Sequence, residues 1–281
     1  MEIIGHKKQW DFLKKSAQSG RLAHACLFSG QEKLGKKTLA LELACFLLNS
    51  KQKTINHPDF VLINGEKEIQ ISEIRELIRK ISFKPSLAQK KVVIINNSHL
   101  MNQEGQTCFL KTLEEPRGDC LLILISDKPD FLLPTILSRL ETIKFNLVSQ
   151  AEIKKFLLKN DLSEEKAEQI SLISSGRPGQ AIDLAFNEQV LETFNQKIKQ
   201  LNQLLKACLF SRFQYVKKMA EEPKEAKETL DVWLYFFRQM FLKNPTKKLR
   251  KTINLIEKTK YLILNTNVNS KLALERLVLE I

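Results

Sequence analysis

Ala25-Cys-Leu-Phe-Ser-Gly-Gln-Glu-Lys-Leu-Gly-Lys-Lys-Thr38 sets a short apolar run directly before a glycine loop and the start of a helical segment, Lys36 to Leu48. The same alternation recurs downstream. Phe60-Val-Leu-Ile63 precedes a helical face carrying Ile71, Ile74, Leu77, Ile78 and Ile81 at a spacing near 3.6 residues. Val92-Val-Ile-Ile95 precedes a helix over 103–114 that stops before Pro116. Leu121-Leu-Ile-Leu-Ile125 is a fourth run and Glu141 to Phe145 a fifth. Strands that are apolar at successive positions and separated by helices have both faces covered, which predicts a parallel α/β sheet.

From about Val148 no such run recurs. Helical patterns at 149–160, 163–174 and 178–186 are punctuated by Asp161-Leu-Ser163 and Gly176-Arg-Pro-Gly179. Ser163, followed by Glu164 and Glu165, is expected to cap a helix N-terminus. Beyond Asn187 the pattern is helical only, at roughly 188–208, 212–221, 224–242, 246–264 and 269–280, and Gly is absent after Gly179. That suits a helical bundle. The expected architecture is α/β plus all-α, with an α/β domain at 1–147, a small helical domain at 148–187 and a larger helical domain at 188–281.

The 281 residues include 45 Lys or Arg and 32 Asp or Glu, a net charge of +13. At 43% hydrophobic the chain can bury a core, which excludes a disordered protein, and 9 Gly with 8 Pro exclude collagen and a turn-rich all-β fold. No stretch of about 18 apolar residues predicts a membrane span. The first residues lack the apolar core of a secretory leader. Cys26, Cys45, Cys108, Cys120 and Cys208 are widely spaced among apolar neighbours. Buried, reduced thiols in a cytoplasmic protein are expected, with no disulfide framework and no zinc site. The basic balance invites a nucleic-acid or acidic partner. Residues 186–281 hold 18 basic and 10 acidic residues, +8 of the total, which leaves +5 for the rest. Only Tyr261 accompanies the Lys243–Lys260 cluster, so a base-stacking groove is not indicated.

Gly30, Gly35 and Lys36 stand in register with the phosphate-loop pattern G-x-x-x-x-G-K-[ST], whose backbone N–H groups wrap phosphate. The position that should supply a Mg²⁺-ligating hydroxyl is Lys37. Thr38 comes one residue late, and one helical step of about 100° aims it elsewhere. Gly30, Gly35 and Lys36 are therefore candidates for weak nucleotide binding at most, and a strand–turn–helix connection without nucleotide is the reading the residues favour. After Val92-Val-Ile-Ile95, the positions where a nucleotide hydrolase places an acid on Mg²⁺ and an acid on water are Asn96 and Asn97. An amide carries neither the charge nor the basicity. His6, His24, His57 and His99 have no ligand spacing and are expected to cap or pack. Glu114 and Glu115 are expected to be solvated at a helix end. Ser138-Arg139 follows the apolar segment Leu132–Leu137 and precedes an edge strand, so Arg139 can project from the domain; an ordinary surface arginine is the alternative.

On several segments the chain resembles the delta-prime subunits of bacterial DNA polymerase III clamp loaders, of the AAA+ class. These are Gly20-Arg-Leu-Ala-His-Ala-Cys-Leu-Phe-Ser-Gly30, His57-Pro-Asp59, Phe109-Leu-Lys-Thr-Leu-Glu-Glu-Pro116, Leu133-Pro-Thr-Ile-Leu-Ser-Arg139 and Asn267-Val-Asn-Ser-Lys-Leu-Ala-Leu-Glu275. The resemblance implies an AAA+ domain, a small helical lid and a C-terminal collar. It implies a non-catalytic subunit of a hetero-pentamer with motor subunits and a delta subunit, acting on the sliding clamp and on primer–template DNA. Arg139, with Ser138, matches the S-R-C motif whose arginine acts in trans on a neighbour's ATP. Leu140 replaces the motif's cysteine. The four-cysteine zinc module of many relatives is reduced to Cys45 in a short segment ending at His57, so no zinc is expected. Gly179 stands where motor subunits place a lid arginine, and Arg177 is displaced toward solvent or a partner. The alternatives are a motor-like AAA+ ATPase and a stand-alone basic DNA-binding protein.

Overall fold

The computed structural model describes residues 3–50, 56–115, 119–266 and 268–281. Its chain divides into two compact units, 1–182 and 183–281. Pro116 and residues 51–55, inside the segment read as a reduced zinc module, lie outside the described residues, as does Asn267.

The first unit is built on five parallel strands: β1 (Ala25–Ser29), β2 (Phe60–Asn64), β3 (Lys91–Asn96), β4 (Cys120–Ser126) and β5 (Glu141–Lys144). Their order is β2-β3-β4-β1-β5. Leu27 pairs with Leu124 across β1 and β4, and Ile94 with Ile123 across β3 and β4. Side chains alternate between faces along each strand. Ala25, Leu27, Val93, Ile95, Leu122 and Leu124 therefore enter one core, and Cys26, Phe28, Val92, Ile94, Leu121, Ile123 and Ile125 the other. Fully burying one such Leu or Ile contributes about 1.5–3 kcal/mol before entropy is counted, and both faces need helices to do it. Helices α1 (Lys7–Gln18) and α2 (Lys36–Leu47) cover the second face with Leu13, Leu39 and Leu43. On the first face α3 (Ile71–Ile81) supplies Ile74, Leu77 and Ile81, α4 (Gln103–Glu114) supplies Phe109 and Leu113, and the short α5 (Pro134–Leu137) supplies Ile136. The parallel α/β reading thus holds, while α1 and α5 were not anticipated: α1 is largely polar and buries only Leu13, and α5 is a single turn.

The His57-Pro58-Asp59 segment is structural. Asp59 is fully buried and accepts backbone N–H bonds from Ser86 (2.6 Å), Leu87 (2.8 Å) and Ala88 (2.9 Å). Burial pushes its pKa up, but these bonds and nearby His57 outweigh that and hold it below the usual carboxylate range. It shapes the 82–90 loop between α3 and β3.

Three helices follow the sheet: α6 (Gln150–Lys159), α7 (Glu164–Ile173) and α8 (Pro178–Phe186). The boundary between the units falls within α8. Ser163 occupies the expected N-cap position with an extended backbone, but its hydroxyl makes no capping hydrogen bond.

The second unit is all helix: α9 (Glu188–Lys206), α10 (Leu209–Glu221), α11 (Pro223–Lys243), α12 (Lys247–Asn265) and α13 (Ser270–Glu280). They enclose Trp233, which is fully buried among Leu201, Val216, Leu230, Ile256, Leu274 and Leu277. Arg212 ties three helix ends together, donating to Leu205 O (2.9 Å), Ala207 O (3.1 Å) and Val278 O (3.2 Å), carbonyls that a helix terminus leaves without partners. All five cysteines are free thiols. Four are buried or half-buried, but Cys208 is exposed just before α10, contrary to expectation. No described helix is long and apolar enough to cross a membrane.

Candidate phosphate-loop site and projecting arginine

Gly30, Gly35 and Lys36 come together in the loop between β1 and α2. A Cβ on Gly30 would lie 2.4 Å from Phe145 O, so only glycine lets the loop leave the sheet there. Gly35 adopts φ +88° immediately before α2, in the left-handed region that glycine enters at little cost. His6 adds a brace, its Nε2 3.0 Å from Leu34 O.

Lys36 is 6% exposed. Its Nζ donates to Gly30 O and, at 2.6 Å, to Gln31 O, so loop carbonyls take the bonds that a phosphate would accept. Burial depresses its pKa to about 8, against the opposing pull of Asp127 and Glu32. Lys37 stands at the Mg²⁺-ligand position and donates Nζ to Asn64 Oδ1 at 3.0 Å, while Asn96 Nδ2 donates to the same oxygen at 3.1 Å. Asn97 is also committed, donating Nδ2 to Gly65 O at 2.9 Å. An ammonium and amides thus line the place where a metal would need carboxylates and a hydroxyl. Among the described residues no group of three or more His, Cys, Asp or Glu could hold a metal ion.

Ser138 and Arg139 come together at the end of α5, and α4 positions them. Gln106, buried in α4, donates Nε2 to Met101 O (3.0 Å) and Phe131 O (3.2 Å) and accepts from Leu133 N–H (2.8 Å), so one amide pins the segment that leads into α5. Arg139 Nη1 donates to Thr135 O at 2.8 Å and to Ser138 Oγ at 3.3 Å, and Nη2 pairs with Glu114 Oε1. Glu114 is therefore not simply solvated, as expected from sequence, but engaged by the arginine. Leu140 turns inward and is 8% exposed, which accounts for an apolar residue after Arg139.

Known proteins resemble this chain in sequence and in fold. The profile of the family described as DNA polymerase III, delta subunit, matches residues 5–149, more than half of the chain. The chain belongs to this family. It is 31% identical over 205 residues to the DNA polymerase III subunit delta' of Bacillus subtilis, a match covering 66% of this chain and 61% of that protein. It is 29% identical over 226 residues to the DNA polymerase III subunit gamma of Buchnera aphidicola, covering 73% and 62%. The chain thus spans about three fifths of the length of these relatives. Among solved structures, a DNA polymerase III gamma subunit-related protein from Thermotoga maritima aligns over 96% of this chain and 97% of its own, with a TM-score of 0.55 at 21% identity. That likeness supports the AAA+ type of fold.

Two residues at the site, Asp127 and Gln106, escape the sequence reading, and Gly179 makes a contact that the reading does not foresee. Asp127 follows β4; its Oδ1 stands 3.2 Å from His99 Nδ1, outside hydrogen-bonding geometry, and it favours the charged form of Lys36. Burial holds His99 below the ordinary histidine value against the pull of Asp127. Gln106 looks like one more polar helix residue until the fold places Leu133 beside it. Gly179 donates its N–H to Lys33 O at 2.8 Å, and a Cβ there would meet that oxygen at 2.9 Å. Gly179 is thus a close backbone contact on the loop. Arg177, expected to face solvent or a partner, is half-buried and turns Nε to Ser174 O at 3.4 Å.

Proposed function

We propose that the chain is a non-catalytic, delta-prime-like subunit of a DNA polymerase III clamp loader. It assists ATP-driven loading of the sliding clamp onto primed DNA and supplies Arg139, with Ser138 beside it, in trans to the ATP of a neighbouring motor subunit. Its partners on this reading are motor subunits and a delta subunit in a hetero-pentamer, with the clamp and primer–template DNA reached through the assembly. The three-part division into AAA+ domain (1–147), lid (148–187) and collar (188–281) belongs to the same proposal. The observation that carries it is the contrast between Lys37, Asn96 and Asn97, which put an ammonium and amides at the positions where Mg²⁺ would need a hydroxyl and carboxylates, and Arg139, whose guanidinium sits at the surface on a braced segment. A planar guanidinium suits the charge that develops on a transferring phosphoryl group. Gly30, Gly35 and Lys36 serve as a structural turn on this reading, with Lys36 spent on its own loop.

A motor-like ATPase is the second reading, favoured by the similarity to gamma subunits. ATP turnover separates the two. The isolated chain is expected to show no Mg²⁺-dependent hydrolysis, and the reconstituted complex is expected to lose part of its hydrolysis on Arg139→Ala. Turnover by the isolated chain that Lys36→Ala abolishes would overturn the first reading.

A further inference from the structure

Arg139 is already occupied within its own chain. Three of its hydrogen bonds go to Thr135 O, Ser138 Oγ and the Glu114 carboxylate. A guanidinium grips carboxylate and phosphate with the same planar fork of N–H donors. The Nη2 edge that faces Glu114 cannot serve a second anion at the same time. Glu114 is also not a casual partner. It closes α4, the helix whose Gln106 pins the segment leading to Arg139, so donor and acceptor are set by one element.

The strength of the pair decides what it can do. Side-chain exposures of 34% for Arg139 and 49% for Glu114 leave it half in water. A pair of this kind biases an equilibrium by at most about fivefold. That is enough to give the arginine a preferred setting and too little to hold it against a terminal phosphate, which carries more charge and lies between subunits where water is thinned.

We propose that Glu114 is a positioning residue that parks Arg139 on its own subunit, and that the terminal phosphate of a nucleoside triphosphate on the neighbouring subunit displaces it when the two close. This rests on the reading of Arg139 as acting in trans. Glu114 therefore sets the resting rate of the assembly: it keeps the arginine out of the neighbour's site until closure brings the phosphate within reach. The displaced carboxylate returns to water, and no covalent step is involved.

The test is ATP hydrolysis by the reconstituted complex, with and without clamp and primed DNA, for the parent, Glu114→Gln, Arg139→Ala and the double variant. Glu115→Gln, on the exposed neighbouring residue, is the control, and thermal melting of each chain checks folding. Glu114→Gln is expected to raise kcat without clamp and DNA about two- to fivefold, to leave the fully stimulated rate unchanged, and to do nothing once Arg139 is Ala. An unchanged or lowered resting rate for Glu114→Gln overturns the proposal, as does a rise that persists in the double variant or appears equally in Glu115→Gln. If Arg139→Ala alone leaves stimulated hydrolysis intact, the trans reading itself fails, an outcome distinct from failure at Glu114.

Discussion

The loop after β1 and the end of α5 face opposite fates within one domain. At the loop, the two lysines in the phosphate-loop register are engaged within the chain, Lys36 by carbonyls of its own loop and Lys37 by Asn64, and Gly179 packs its backbone onto Lys33 O. At the end of α5 the guanidinium remains at the surface, held by bonds weak enough to exchange. On the proposed reading a phosphate-binding turn is kept as architecture without its chemistry, whereas the arginine is an exchangeable group on a segment braced by buried Gln106. The difference lies in what surrounds each cation. Lys36 is desolvated and bonded to carbonyls of its own loop; Arg139 is half-solvated and bonded at the surface.

That contrast is open to attack, beginning where the effect is largest. Arg139→Ala should cut hydrolysis at the one neighbouring site it serves on the order of a thousandfold, seen as a partial loss of the complex's total turnover, while costing the chain under about 0.5 kcal/mol of stability, measured by denaturant melts. A large stability loss would recast Arg139 as structural. Gln106→Leu should cost about 1–3 kcal/mol, because the N–H of Leu133 and the carbonyls of Met101 and Phe131 lose their partner in the interior. It should also lower hydrolysis, since the segment carrying the arginine loosens. Gly179→Ala should cost about 1–2 kcal/mol through the contact with Lys33 O, without changing nucleotide affinity, which equilibrium dialysis can check. If instead it opens the loop to ATP, the loop is latent and not spent.

The smallest effect is a pH dependence. Lys36 has a folded pKa of about 8, below the ordinary lysine value near 10.4, so the unfolded chain holds more protons between those values. Stability should therefore rise as pH climbs through that window, by about 1 kcal/mol between pH 7 and 9. Lys36→Met should flatten that part of the pH profile. A profile unaffected by the substitution would show that Lys36 is better solvated than its burial indicates.

Much of the fold is legible in the sequence. Val92 to Ile95 and Leu121 to Ile125 have no polar face, so a strand there needs cover on both sides, and that requirement alone selects the parallel sheet. Gly30, Lys37, Asn96 and Arg139 declare their chemistry by type and register. What escaped notice depends on neighbours distant in sequence. Gln106 meets Leu133 and Phe131 only when α4 lies along the sheet, and Glu114 meets Arg139 for the same reason. Gly179 signals a turn in sequence; its close contact with Lys33 O follows from the fold. Asp59 matched a family segment, but its three backbone bonds reach residues 86–88, beyond any local pattern.

Helix α4 carries a mechanical consequence. It is a rod of 12 residues, about 18 Å long, whose near end is capped by Asn102 just after β3 and whose far end is Glu114. A tilt of about 10° around the capped end would sweep the far end through about 3 Å, roughly one hydrogen-bond length. Small angular errors at the root of this lever are thus enlarged to the distance that separates a made contact from a broken one at its tip.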